Sequence, residues 1–136
     1  MTALPGEAKK LPDKAKRLLD DANFVVVATS NTDGSPQTTV VWATYEGEEL
    51  LLSTIQGRKK ETNWLKDPRV SVLILDRDNP YSYVEVRGEV SMSTEGGPEL
   101  IERLSQAYTG ESYTGDEGTD NIRVVVRVQP RHIVDY

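Results

Sequence analysis

The stretch that decides the fold is Phe24-Val25-Val26-Val27-Ala28-Thr29-Ser30, then Gln37-Thr38-Thr39-Val40-Val41-Trp42-Ala43-Thr44-Tyr45, then Glu49-Leu50-Leu51-Leu52-Ser53-Thr54. Each run is rich in β-branched, aromatic or leucine residues, which suit a pleated, half-buried surface. The breaks between them, Asn31-Thr32-Asp33-Gly34 and Glu46-Gly47-Glu48, are short and carry glycine, as hairpin connections require. Three consecutive strands in an antiparallel meander follow.

Toward the N-terminus, Leu11, Ala15, Leu18, Leu19 and Ala22 recur at helical spacing behind Pro12. The spacing predicts a short amphipathic helix over Pro12–Asp21 that plugs one end of the strands. Lys9, Lys10, Lys14, Lys16 and Arg17 crowd here and read as the solvated face of that helix. Met1–Lys16 has no apolar core of signal-peptide length, and no run approaches the roughly 18 apolar residues of a membrane span, so a cytoplasmic protein is expected.

Toward the C-terminus, Arg58–Lys66 reads as a two-turn helix stopped at Asp67-Pro68. Val70–Asp76 returns as a strand, and Ser82–Thr94 as a long one bent or bulged at Gly88. Its inward set is Tyr83 or Val84 with Val86, Val90 and Met92, according to register. Gly97-Pro98 opens a helix striped by Leu100, Ile101, Leu104, Ala107 and Tyr108. Thr109–Asp120 reads as a mobile, acidic, glycine-bearing loop, and Asn121–Tyr136 as a closing strand bent near Pro130. Six or so strands in hairpin order fit a small closed barrel better than a sandwich, and 136 residues suit a single domain.

Composition narrows the chemistry. There is no cysteine, which excludes disulfides, thiolate metal sites and cysteine nucleophiles. A net charge of −6 disfavours nucleic acid. With 37% hydrophobic residues and one Phe, the core is thin, and a domain of this kind gains by pairing subunits.

The informative local feature is Ser53-Thr54-Ile55-Gln56-Gly57-Arg58-Lys59-Lys60. A helix N-terminus carries partial positive charge, so each cation placed there costs roughly 0.3–1 kcal/mol. Three in a row make sense if an anion sits on the helix start, since backbone N–H groups, dipole and side chains then act together. An ideal wheel puts Lys59, Lys60 and Asn63 on one face, with the hydroxyls of Ser53 and Thr54 able to approach. The competing reading has the cations merely balancing the acidic surface, pairing with Glu61 or with a neighbouring loop.

Three stretches, in order over most of the chain, resemble the split-barrel family of FMN-binding, pyridoxamine 5′-phosphate oxidase-like proteins, and within it the actinobacterial deazaflavin-dependent branch. They are Asp33–Trp42, Ser53–Ser71 and Asp78–Gly88. The resemblance implies a mainly β fold, a six- to seven-stranded antiparallel split β-barrel with short flanking α-helices. It also implies a homodimer with a cofactor site at each side of the subunit interface. By the family pattern Ser53, Arg58, Lys60 and Asn63 would hold the phosphate-bearing arm, while Gln37, Thr39, Val40 and Val41 would line the ring. Tyr81 and Tyr83 would come from the partner subunit and close the pocket.

The vitamin B6 oxidases of the family end in an extension rich in Arg, His and Trp, whereas this sequence stops at Arg131-His132-Ile133-Val134-Asp135-Tyr136, which disfavours pyridoxamine phosphate oxidation. The motifs look closer to members that use the 8-hydroxy-5-deazaflavin, coenzyme F-420, than to those that use FMN. The resemblance thus implies hydride transfer from reduced F-420 to an unsaturated small-molecule acceptor. An FMN-dependent oxidoreductase and a non-enzymatic flavin, deazaflavin or haem carrier are the alternatives. No Ser–His–Asp set, dinucleotide loop or P-loop is present, so no catalytic side chain is assigned. His132, the sole histidine, is expected to be structural or at the surface, and no metal site is expected. Trp42 and Trp64 are read as core in preference to ring-stacking residues.

Overall fold

The computed structural model describes residues 7–136; residues 1–6, part of the stretch read above for an apolar leader, lie outside the described residues. Helix α1 (Asp13–Asp20) leads into β1 (Val25–Ser30), β2 (Pro36–Val41), β3 (Ala43–Glu46) and β4 (Glu49–Ile55). Then come α2 (Lys59–Lys66), β5 (Arg69–Leu75), β6 (Tyr83–Ser93), α3 (Gly97–Thr109) and β7 (Arg123–Asp135). The seven strands form one antiparallel sheet in the order β2-β1-β5-β6-β7-β4-β3. The fold is a curled half-barrel of the split-barrel type, as the resemblance implies, and not the closed barrel read from the strand pattern: β2 and β3 stand at the two ends of the strand order.

Both hairpins of the opening stretch pair as read, β1 with β2 and β3 with β4. The middle strand, however, is not continuous. It breaks at Trp42, so that Pro36–Val41 forms one end of the strand order and Ala43–Glu46 the other. Two elements adjacent in the chain thus stand at opposite ends of the sheet, and their covalent link curls the sheet round on itself.

Alternation fills the interior. Val25 and Val27 of β1, Leu50 and Leu52 of β4, Val72 and Ile74 of β5, Val84 and Val86 of β6, and Val126 and Val128 of β7 all point inward. Each buried side chain contributes about 1.5–3 kcal/mol relative to an exposed one. Leu11, Ala15, Leu18 and Leu19 close one end through α1, and Trp64 of α2 joins the same core. A second, smaller cluster lies on the outer face, where Leu51 and Val125 meet Leu100 and Leu104 of α3, with Trp42 and Tyr108 against them. Register decides for Val84 over Tyr83 as the inward residue of β6.

Two glycines are fixed by close approach. The ladder between β6 and β7 shifts register at Arg87/Gly88, and a Cβ on Gly88 would collide with the Gln129 carbonyl. Gly97 begins α3 directly on the Arg123 backbone, where a Cβ would again collide. Among the described residues no helix is long and apolar enough to cross a membrane.

Candidate anion and cofactor site

Strand β4 ends at Ile55, the chain turns through Gly57 at φ 89°, and α2 starts with Arg58 as its N-cap. Lys59 and Lys60 are therefore the first two helical residues, beside free backbone N–H groups. Glu61 does not pair with them: its Oε1 accepts from the Gly57 N–H at 3.0 Å. Among the described residues no carboxylate lies within ion-pair distance of Arg58, Lys59 or Lys60. Burial, and then the charge of Arg58, holds the Lys60 ammonium below the usual lysine range. A cation that loses water and faces a second cation is the arrangement an incoming anion relieves.

The two hydroxyls of β4 do not converge. Thr54 faces the interior, is 4% exposed, and its Oγ1 has no hydrogen-bond partner. Ser53, one residue earlier, faces outward toward α3, because successive side chains of a strand alternate. It lines a cleft of about 230 Å³ with Trp42, Arg58, Leu104, Tyr113 and Arg123.

Asn63 belongs elsewhere. It is 2% exposed, and its Nδ2 donates to Thr29 Oγ1 at 2.8 Å and to Asn31 Oδ1 at 3.2 Å. Thr29 Oγ1 in turn donates to Gln37 Oε1 at 2.9 Å. The ideal-wheel expectation that Asn63 shares an open face with Lys59 and Lys60 thus gives way to a buried pin between α2 and the first hairpin.

On β2, Gln37, Thr39 and Val41 are half-buried, whereas Val40 is 66% exposed on the opposite face. A ring lying against the outside of β2 would therefore meet the Val40 side chain and the strand's backbone. Tyr81 is 89% exposed, and the Tyr83 ring packs against Tyr136 with centroids 4.5 Å apart. Tyr83 sits beside the Asp135 end of β7, and Arg123 begins that strand. At about 3.3 Å per residue they lie roughly 40 Å apart along it. Within one chain these tyrosines do not reach the Arg58 cleft.

Sequence reasoning missed Tyr113, Asp116 and Arg123. The loop read as mobile, Thr109–Asp120, is held by specific contacts: Asp116 bridges Arg123 at 2.7 Å, Tyr113 N–H donates to Glu102 at 3.0 Å, and Ser105 Oγ donates to the Glu111 carbonyl at 2.8 Å. Arg123, at the charged start of an alternating strand, was the one visible signal. Trp64 is core, as read; Trp42 is half-buried, stacked on Tyr108 at 5.6 Å and 18°, and lines the Arg58 cleft. His132 is exposed on the outer face opposite Arg87, and among the described residues no cluster of His, Asp or Glu could hold a metal.

The curled seven-stranded sheet with its short flanking helices is that of a split-barrel protein. The chain belongs to the pyridoxamine 5′-phosphate oxidase family, whose model matches residues 11–135. It is similar to a solved structure described as an F420 reductase, at 29% identity and a TM-score of 0.80, covering 91% of this chain and 98% of that one. A conserved hypothetical protein from Mycobacterium tuberculosis is 26% identical, with a TM-score of 0.70 over 97% of this chain and 88% of that one. A putative pyridoxamine 5′-phosphate oxidase from Listeria innocua, 21% identical with a TM-score of 0.70 over 90% and 95% of the two chains, shares the fold. No curated protein matches the sequence.

Proposed function

We propose that the protein is an oxidoreductase that binds coenzyme F-420 and transfers a hydride from its reduced form to an unsaturated organic acceptor. The observation that carries the reading is the set of unpaired cations at the start of α2, with Lys60 half-buried and Ser53 and Arg58 sharing one cleft. Similarity to a protein described as an F420 reductase favours the deazaflavin over FMN.

The donor set suits a phosphorylated cofactor. Arg58, Lys60 and Ser53 would hold the phosphate, with the first N–H groups of α2 adding the helix dipole. Asn63 would act by fixing α2 against the first hairpin, through Thr29 and Asn31. The outer side of β2 around Val40, with Gln37, Thr39 and Val41 shaping the strand from within, would carry the ring. When bound, a reduced deazaflavin supplies the hydride, so the chain's own residues orient and exclude water, and no general base is required. A homodimer would bring Tyr81 and Tyr83 of the second copy over this site; the exposure of Tyr81 and Val40 supports it.

Titration of the purified protein with F-420 and with FMN tests the reading. Tight F-420 binding that Lys60→Ala weakens by about tenfold or more supports it. Binding of FMN alone would replace the cofactor, and equal F-420 affinity in the variant would remove the phosphate assignment.

A further inference from the structure

Arg123 is a guanidinium only 11% exposed, and none of the three family-like stretches contains it. Taking such a charge out of water costs several kcal/mol unless it is well paired. Its two sides are treated differently. Behind it, Nε donates to Asp116 Oδ2 at 2.7 Å and Nη2 to Asp116 Oδ1 at 3.1 Å, a bidentate grip that fixes the plane of the fork. Nη2 also donates to the Tyr113 hydroxyl at 2.5 Å, and the guanidinium carbon stands 4.9 Å from that ring's centroid. In front, Nη1 makes one long contact, to Ser53 Oγ at 3.4 Å.

Asp116 lines the cleft behind Arg123, beside Pro98, Glu102 and Asn121, and is absent from the lining of the cleft in front. The front cleft instead holds Ser53, Trp42 and Arg58, whose charge acts on Asp116 without forming an ion pair with it. Here the carboxylate occupies the Nε and Nη2 side of the fork and leaves Nη1 on the Ser53 side, in the cleft that Arg58 also lines, where an anion would be held by both cations.

We infer that Arg123 is a further anion-binding residue of this site, presented by Asp116 and Tyr113 to a phosphoryl or carboxylate group lying between it and Arg58. The inference rests on the reading of Ser53 and Arg58 given above, and adds to it a ligand from β7. Asp116 is a positioning residue: it orders segment 110–122 and aims the guanidinium.

FMN and riboflavin share a ring and differ in the phosphate, and F-420 and its deazariboflavin core share a ring and differ in an anionic phosphodiester-linked tail, so quenching of tryptophan fluorescence by the first pair isolates the phosphate and by the second reads recognition of the whole anionic tail. The wild-type protein is expected to favour the phosphorylated member by about tenfold or more. Arg123→Met is expected to lose most of that preference while keeping its affinity for the unphosphorylated ring. Asp116→Ala should weaken phosphate recognition less, and Asp116→Asn should restore most of it, because its amide oxygen still accepts from Nε. Amide exchange in segment 110–122 should slow on binding the phosphorylated ligand in the wild type and not in Arg123→Met.

Equal losses for both members of a pair, or none for either, would overturn the role of Arg123. If the wild type does not distinguish the members at all, the phosphate site itself fails. If Arg58→Ala abolishes the preference and Arg123→Met retains it, only the present inference fails. Should Arg123→Met melt below the assay temperature, Asp116→Ala decides, and unchanged preference with unchanged loop exchange in that variant counts against the inference.

Discussion

The side-chain amide of Asn63 donates to Thr29 Oγ1 at 2.8 Å, joining α2 to a strand residue 34 positions earlier in the chain. Both residues are buried, so the bond has no water to replace it. Asn63→Ala leaves the acceptors of Thr29 and Asn31 without this donor, at a cost of about 1–3 kcal/mol. Urea unfolding should show that loss in the ligand-free protein. Wild-type stability in this variant would contradict the pinning role.

Lys60 has the opposite balance. Its folded-state pKa lies below the ordinary 10.5, first through burial and then through Arg58. Below that depressed value both folded and unfolded forms hold the proton, and the penalty of the buried charge is fully present. Between it and 10.5 the unfolded chain binds more protons, so the contribution of Lys60 to stability improves as pH rises. Lys60→Met should therefore stabilise the ligand-free protein by about 0.3–1 kcal/mol at neutral pH, as expected for removing a cation from a helix start. The same variant should bind cofactor less tightly. Calorimetric melting with and without F-420 checks both signs.

Acid should loosen segment 110–122. Hydrogen bonding from Arg123, then Asn121, holds the Asp116 carboxyl below its ordinary 3.8 despite some desolvation. A depressed carboxylate contributes stability above 3.8 and loses it as pH falls through the folded-state value. Exchange of the loop amides, after correction for the intrinsic pH dependence, should accelerate in that acid window in the wild type. In Asp116→Asn the acceleration should be smaller.

Gly88→Ala should be among the most damaging single substitutions. The added methyl meets the Gln129 carbonyl at the register shift between β6 and β7, and backbone on both sides leaves little room to yield. A loss of about 2–4 kcal/mol is expected, in the range of severe overpacking. Denaturant midpoints measure it.

Much of the strand pattern was legible because alternation and glycine-bearing turns are local. Gly88 announced its bulge, and Gly97-Pro98 its helix. The break at Trp42 was not legible, since Thr38–Tyr45 is a continuous β-forming run and its division depends on how the whole sheet curls. At the site, the cations were visible because they offend the helix dipole locally. Asn63 was misplaced because its burial depends on Thr29 and Asn31, which the helical wheel does not see. Arg123 escaped for a similar reason: Ser53, with which it shares a cleft, is 70 residues away.

The central claim is that the start of α2 receives the phosphate of a flavin-type cofactor. A crystal structure of the protein with F-420 bound tests it most directly. The account predicts phosphate oxygens within hydrogen-bonding distance of Arg58 and Lys60, with the ring along the outside of β2 near Val40. A cofactor seated elsewhere, with no phosphate oxygen in reach of Arg58 or Lys60, would contradict it.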